Sequence, residues 1–181
     1  VEQLAAKFGI GRIESDEFAA HSHEKALNAA AKGFFDNEIQ PVKVTISDTD
    51  SDGNTITSRK VLSVDEGPRE GTSTEVLGNL KKAFSEDGVI TAGNASQRSD
   101  GAAAVVVMSA KKASDLGIRP LMRFVGYSVA AMEPVDFGLG PAHAIPKVLK
   151  QTNMSLDMID AIEFNEAFAA QSLAVVQDLG L

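Results

Sequence analysis

The sequence lacks cysteine and tryptophan entirely among its 181 residues. The absence of cysteine excludes disulfides, thiolate metal sites and a cysteine nucleophile within these residues, and it leaves the redox compartment open. No run of about 18 apolar residues is present, so the sequence predicts no membrane-spanning helix. The sequence also lacks a P-loop and a dinucleotide-binding glycine fingerprint, so nucleotide binding through either motif is excluded within these residues.

Positive charge is also scarce, with 17 Lys and Arg against 25 Asp and Glu and a formal net charge of -8. An acidic chain lacks the broad basic surface that nucleic acids require, whereas a small anionic ligand needs only a local positive potential. The hydrophobic fraction of 44% is ordinary for a globular protein of one domain or two small ones. The chain begins without Met inside an apparent helix, and we expect it to be an internal part of a longer protein that lacks both ends.

The first half of the chain has the pattern of an α+β module with a hairpin. Apolar spacing predicts three helices, 1–8, 12–32 and 74–84. Gly9 and Gly33 can end the first two of them. Alternating apolar residues predict three strands, 39–46, 55–64 and 89–92, with a polar turn between the first and second.

The second half changes character after Gly101 and has the pattern of a layered α/β body over 97–181. Continuous apolar runs predict three buried strands, 102–108, 121–130 and 159–164. Helices are expected over 110–116, after the glycine loop 138–141 and from Phe168 onward. Pro146 is expected in the first turn of the second of these, and Ser155 can cap a short turn. The last helix is small or apolar around most of its circumference, which predicts burial between layers.

The joint between the strand 159–164 and the last helix is the strongest candidate for a ligand site. Ligands bind at the mouths of α/β sheets, beside the exposed N–H groups of helix starts. Asn165 can donate and accept hydrogen bonds there, so it suits holding a water or a carbonyl oxygen, and it cannot act as a general base. Glu166 has a structural alternative, which is to place negative charge near the helix start.

Other polar motifs have plainer interpretations. The stretch 48–53 matches the start of a calcium loop, but Arg59 stands where the bidentate glutamate belongs, so a hairpin turn is favoured. His21 and His23 point to different helix faces and cannot chelate one metal. His143 is the better candidate of the three because it follows the glycine loop at a helix start, but a functional role is not favoured for it either. No metal site is therefore expected.

Three loop positions have both a structural and a ligand-binding interpretation. The loop 138–141 is either a tight turn or a place where backbone approaches a ligand closely. Ser96 lacks the setting of a hydrolase nucleophile, and it could instead hydrogen-bond a ligand amide. Arg69 could contact phosphate or adenine, or it could simply be solvated.

At these residues the chain resembles the thiolase family, and within it the 3-ketoacyl-CoA thiolases. The matching stretches occur in the family's order across nearly the whole chain: 34–42, 65–69, 91–96, 99–104, 138–141 and 165–171. The resemblance implies a partial, layered α/β/α thiolase fold with an α+β loop domain. Residues 1–96 would be most of that loop domain, 97–118 the last strand and helix of the N-terminal half, and 119–181 the start of the C-terminal half.

The resemblance also implies roles for individual residues. Asn165 would hold the water of an oxyanion site, Ser96 would meet the pantetheine arm of CoA, and Arg69 would lie near its nucleotide end. The remaining CoA and acyl contacts would come from the glycine loop and three aromatic residues, namely Gly138, Gly140, Phe84, Phe137 and Phe168. Phe137 stands where many relatives have methionine, which bears on acyl-chain preference. Both catalytic cysteines and the histidine are absent from this chain.

The activity implied by the resemblance is acyl transfer in fatty-acid β-oxidation. The whole enzyme would cleave a 3-ketoacyl-CoA with CoA, or run the reverse Claisen condensation, while this chain alone would be inactive. CoA would be a substrate, with no covalently bound cofactor and no nucleic-acid partner. The alternatives are a biosynthetic acetoacetyl-CoA thiolase and a non-catalytic, sterol-carrier-type protein that binds acyl-CoA or lipid. A homodimer or homotetramer is implied, in the cytoplasm of a bacterium or in a eukaryotic peroxisome or mitochondrion.

Overall fold

The computed structural model describes residues 1–181 and contains six α-helices, two short 3-10 helices and one two-stranded sheet. The helices and strands are, in chain order, α1 Glu2–Phe8, α2 Arg12–Ala31, β1 Val42–Thr49, β2 Thr55–Leu62, α3 Thr74–Gly78, α4 Ala110–Asp115, α5 Gly140–Thr152 and α6 Ala169–Leu179. The 3-10 helices are Pro134–Leu139 and Leu156–Met158. None of the helices combines the length and apolar character that a membrane span requires.

Glycine determines where the two N-terminal helices end, as the sequence predicts. Gly9 follows α1 with a φ of 68°, and Gly33 lies just beyond α2 with a φ of 70°. Glycine adopts this left-handed conformation without the steric cost that a Cβ would bring. The chain can therefore turn sharply from α1 into α2, and again from α2 toward the hairpin.

The predicted hairpin is confirmed, with β1 and β2 paired antiparallel from Val42↔Leu62 to Thr49↔Thr55. Strand β1 begins later than expected because Pro41 has no N–H to donate to the ladder. The Asp50 carboxylate closes the turn by accepting from the backbone N–H groups of Asp52 (3.0 Å) and Asn54 (2.8 Å). The apparent calcium motif is thus a hydrogen-bonded turn, and no three His, Asp or Glu side chains are grouped to hold a metal ion.

The main core lies where α1, the first 3-10 helix, α5 and α6 meet. Its buried members are Leu4, Ala5, Ile10, Leu139, Ala142, Ala170, Ala174 and Val175. A smaller cluster joins α2, α3 and the start of α6 through Ala19, Leu77 and Ala169. Six residues of α6 are buried, so the prediction of a helix enclosed on much of its circumference is confirmed. The small side chains of α6 let these elements approach it closely.

The prediction of strands over 102–108, 121–130 and 159–164 is wrong, because none of these segments forms a ladder in this chain. The apolar side chains of 102–108 and 121–130 are largely exposed, with Val106 86% and Leu121 96% exposed, whereas Phe164 packs against the main core. A buried strand needs neighbours for its N–H and C=O groups and for both faces of its side chains. No other strand of this chain pairs with them, so they form no sheet.

Three smaller predictions also require correction. Helix α3 ends at Gly78 and does not reach residue 84. At its C-terminal end the Asn79 side-chain amide donates to the carbonyl of Glu75 at 2.9 Å. Pro146 lies inside α5 and not in its first turn, because α5 already begins at Gly140. Ser155 occupies the N-cap position of the second 3-10 helix, but its side chain makes no capping hydrogen bond.

The Asp50 turn predicts a pH dependence of the hairpin. The backbone N–H of Asn54, which donates to the carboxylate, holds the pKa of Asp50 below its ordinary value. The ionised carboxylate therefore stabilises the turn above the pKa of the unfolded chain, and this stabilisation is lost as the pH falls through the folded pKa. We expect the Asn54 amide proton to shift upfield on acidification and to shift likewise in Asp50→Ala at neutral pH. An Asn54 resonance that follows neither change would contradict this turn.

Candidate functional site

The joint at Asn165 is held by backbone pairing with the loop that carries Ser96. The N–H of Ser96 donates to the carbonyl of Ala167 at 2.9 Å, and the N–H of Ala169 donates to the carbonyl of Asn94 at 2.9 Å. An isolated antiparallel bridge joins the residues between them. The structure therefore brings together two loops that the sequence singled out separately, and it places Ser96 beside the segment that begins at Asn165.

The Ser96 loop is in turn shaped by the buried side chain of Asn94. Its Oδ1 accepts from the N–H of Thr91 at 2.8 Å. Its Nδ2 donates to the carbonyl of Val89 at 2.9 Å and to Oδ1 of Asp16 at 2.8 Å. Every hydrogen of this amide is used, as a buried polar group requires. Asn94 consequently fixes both the curvature of its own loop and the distance of that loop from α2.

Asp16 is the buried charge at the centre of this arrangement, and only 1% of it is exposed. Its second oxygen accepts from Nε of Arg12 at 2.6 Å. The Arg12 guanidinium also donates to the carbonyls of Leu77 (2.6 Å) and Leu80 (3.1 Å). A buried carboxylate is tolerated when it is paired and fully hydrogen-bonded. The pair thus fastens α2 both to α3 and to the Ser96 loop.

The segment 89–92, predicted as a strand, is held by a side chain instead. The Glu2 carboxylate accepts from the N–H groups of Val89 (2.8 Å) and Ile90 (3.2 Å). On the other side, Thr91 forms only an isolated bridge with Lys82. These N–H groups therefore have partners without a ladder, which explains why the predicted strand does not form. Glu2 also ties α1 to the loop.

Arg69 lies on a cleft of about 610 Å³ between α2 and the loop 69–74. Its backbone N–H donates to Nδ1 of His23 at 3.1 Å, and His21 also lines the cleft. The guanidinium is exposed and forms no salt bridge, so its charge is available to a ligand. His143 is exposed on α5 and does not line this cleft.

The two glycines of the loop 138–141 differ in their surroundings: Gly138 is tightly packed, and Gly140 has free space beside it. The Gly138 carbonyl accepts from Nε2 of the buried Gln171 at 3.1 Å. A Cβ at Gly138 would lie 2.8 Å from Cδ2 of Leu4 and 3.0 Å from Cγ of Gln171. A Cβ at Gly140 would meet nothing within 4 Å, so backbone there is accessible. Only Gly140 therefore keeps room for the close approach of a ligand.

The three phenylalanines assigned to an acyl tunnel lie in different surroundings. Phe168 is half-buried at the N-cap of α6, beside the Ser96 loop. Phe84 is 70% exposed and Phe137 is 54% exposed. These 181 residues do not enclose a tunnel around the latter two, and their lining role stays a prediction.

Glu166 does not cap α6, which begins three residues later at Ala169. Its Oε2 accepts instead from the hydroxyl of Ser22 on α2 at 2.5 Å. The carboxylate also lines a largely apolar cleft of about 370 Å³ between α2, α5 and α6. The expectation that Glu166 places its charge at the start of α6 is therefore wrong, because its partner is Ser22 on α2.

Sequence reasoning missed Arg12, Asp16, Asn94 and Ser22 as contributors to this site. Arg12 and Asp16 are four residues apart on a predicted helix, which is the spacing of an ion pair, so that part of the signal was present. Nothing in the sequence indicates that the same carboxylate faces Asn94, because the contact spans 78 positions.

Two family models match nearly the whole chain. The family model for the thiolase N-terminal domain matches residues 1–111, and the model for the thiolase C-terminal domain matches residues 118–181. The chain belongs to the thiolase family. The resemblance seen in the motifs is thereby confirmed.

Individual relatives cover nearly all of this chain. A 3-ketoacyl-CoA thiolase of Bacillus subtilis is 44% identical over 99% of the chain and 46% of its own length. The peroxisomal 3-ketoacyl-CoA thiolase B of Rattus norvegicus is 45% identical over 99% of the chain and 42% of its own length. The chain therefore spans less than half the length of the curated relatives it matches.

Solved structures confirm the partial thiolase-like α/β fold. The crystal structure of the Bacillus anthracis acetyl-CoA acetyltransferase superposes with a TM-score of 0.90 at 46% identity, covering 99% of this chain and 43% of that one. Human mitochondrial 3-ketoacyl-CoA thiolase superposes with a TM-score of 0.88 at 39% identity, with the same coverage.

The buried network predicts a specific stability effect. Asp16→Ala leaves the Asn94 amide and the Arg12 guanidinium without their shared partner, so it should lower the free energy of unfolding by about 1–3 kcal/mol. A urea titration of the purified chain measures this. Asp178→Ala, at an exposed position on α6, is the matched control and should stay within about 0.5 kcal/mol of the parent. Equal effects of the two substitutions would contradict a structural role for the network.

Proposed function

We propose that these residues form part of an acyltransferase that cleaves a 3-ketoacyl-CoA with CoA into acetyl-CoA and a shortened acyl-CoA, or runs the reverse Claisen condensation. The observation that carries the proposal is the backbone pairing of the Ser96 loop with the Asn165 joint. It sets a hydroxyl suited to the pantetheine arm beside an amide suited to an oxyanion site. Relatives named 3-ketoacyl-CoA thiolase and acetyl-CoA acetyltransferase support this reaction class.

The CoA end of the proposed site runs from Arg69 to Ser96. Glu17 and Glu24 line the same cleft as Arg69, so the unpaired Arg69 guanidinium is the group there that would bind CoA phosphates. The Ser96 hydroxyl lies only 3.2 Å from the carbonyl of Gln97 and can exchange that contact for an amide of the pantetheine arm. Gly140 and three aromatic residues, Phe84, Phe137 and Phe168, would complete the pocket, while the buried Gly138 would support it by packing against Leu4 and Gln171.

Asn165 is the catalytic residue of this chain in the proposal. Its side-chain amide would hold the water that, with a histidine, stabilises negative charge on the thioester oxygen. Such a group acts by donating a preorganised hydrogen bond and not by moving a proton. The family's nucleophilic cysteine, its second cysteine and its histidine are not among these residues. The chain supplies one of the catalytic loops and most of the loop domain, residues 1–96.

The whole protein would be a homodimer or homotetramer. The structure of the dimeric peroxisomal thiolase of Saccharomyces cerevisiae supports a dimer, with a TM-score of 0.84 at 41% identity. The residues 97–118 would close the N-terminal half and 119–181 would open the C-terminal half. The compartment would follow the source, being bacterial cytoplasm, peroxisome or mitochondrion.

Binding and turnover by the isolated chain test this proposal. CoA should bind, and Arg69→Ala should weaken that binding about tenfold because a charge-assisted hydrogen bond to phosphate is lost. Ser96→Ala should weaken it less, and Arg119→Ala, which removes another exposed arginine, should leave it unchanged. Calorimetric titration measures the dissociation constants.

The same preparations should show no cleavage of acetoacetyl-CoA, since the cysteines are absent. Measurable cleavage by the isolated chain would contradict the proposed division of catalytic groups. CoA binding that Arg69→Ala and Arg119→Ala weaken equally would contradict the CoA site.

A further inference from the structure

Two consecutive residues of α2 contact the two ends of the proposed site. The Ser22 hydroxyl donates to the carboxylate of Glu166 at 2.5 Å. The ring of His23 accepts from the backbone N–H of Arg69 at 3.1 Å. Glu166 directly follows Asn165 in the sequence. One turn of a helix thus connects the CoA loop with the neighbour of the catalytic amide.

Asn165 has few restraints of its own. Its backbone carbonyl accepts from the N–H of Ala167 at 3.0 Å, while its exposed side chain forms no hydrogen bond. The preceding segment 159–164 belongs to no ladder, so the backbone on that side is not fixed by pairing. On the other side, Glu166 is held by Ser22 and the carbonyl of Ala167 is held by Ser96. The direction of the Asn165 amide therefore depends on the residues that follow it.

A role for Glu166 at the helix dipole does not explain its contact. The dipole acts within the first turn of a helix, whereas α6 begins three residues beyond Glu166. The carboxylate instead accepts a short charge-assisted hydrogen bond from a hydroxyl 144 positions away. Both partners are half-buried, which limits the competition from water.

We propose that Glu166 is a positioning residue whose hydrogen bond with Ser22 sets the orientation of Asn165. The inference rests on the proposed function of Asn165 as the holder of the oxyanion water. A misplacement of about 1 Å in a catalytic group costs up to about a hundredfold in rate. Loss of the Ser22 contact frees the backbone next to Asn165, so it should reduce kcat while CoA binding at Arg69 and Ser96 is preserved.

The test uses the whole thiolase that contains these residues. Glu166→Ala and Ser22→Ala should each lower kcat about tenfold and change KM for CoA less than about twofold. The double variant should be no slower than Glu166→Ala alone, because the two residues act through one contact. Glu166→Gln should recover most of kcat, since its amide oxygen can accept from Ser22. Glu163→Ala, at an exposed position just upstream, is the control and should match the parent.

Asn165→Ala separates failure of this inference from failure of the proposed function. If Asn165→Ala lowers kcat while Ser22→Ala retains it, the function stands and the positioning role of Glu166 is refuted. If Asn165→Ala keeps full kcat, the proposed catalytic role of Asn165 is refuted, and the positioning role of Glu166 is refuted with it. If Glu166→Ala does not fold, Ser22→Ala and Glu166→Gln decide, and full activity of Ser22→Ala overturns the inference.

Discussion

The hydrogen bond between the buried Asp16 carboxylate and the Asn94 amide, 2.8 Å long, is the contact on which the site depends. Arg12 neutralises the charge of Asp16 and extends the connection to α3. Asn94 uses its side-chain oxygen to shape its own loop, and its backbone carbonyl receives the first N–H of α6. Helix α2, the Ser96 loop and the Asn165 joint are therefore oriented by one group of buried polar atoms, because each of those atoms costs free energy unless its partner is present.

Local signals in the sequence predicted the local parts of the fold. Gly9 and Gly33 end helices because only glycine readily adopts their positive φ, and Pro41 delays the hairpin because it lacks a donor. The apolar runs 102–108 and 121–130 indicated strands, but the structure leaves them unpaired. A strand is defined by its neighbours, and no neighbour is supplied by this chain. The pattern of apolar residues along a segment indicates which side chains would be buried in a sheet. It does not indicate whether a neighbouring strand is present to pair with.

The candidate site shows the same division. Asn165, Ser96 and Arg69 could be chosen from their loop sequences and from the family motifs, although the strand expected before Asn165 does not form. The contacts that hold them could not, since Asp16 with Asn94 and Ser22 with Glu166 join distant positions through side chains of ordinary type. A thiolase-like arrangement of these loops is nevertheless present in less than half of a thiolase's length. The buried polar contacts join these loops to one another within this chain.

Titration of the isotope-labelled chain with acetyl-CoA, followed by NMR, tests most directly whether the Ser96 loop and the Asn165 joint form one site. The backbone amide of Ser96 and the side-chain amide of Asn165 should shift together, with one dissociation constant. The arginine resonances of Arg69 should follow the same curve, because the nucleotide end binds in the same event. Shifts confined to Arg69 and its cleft, with Ser96 and Asn165 unmoved at saturation, would contradict a shared acyl-CoA site.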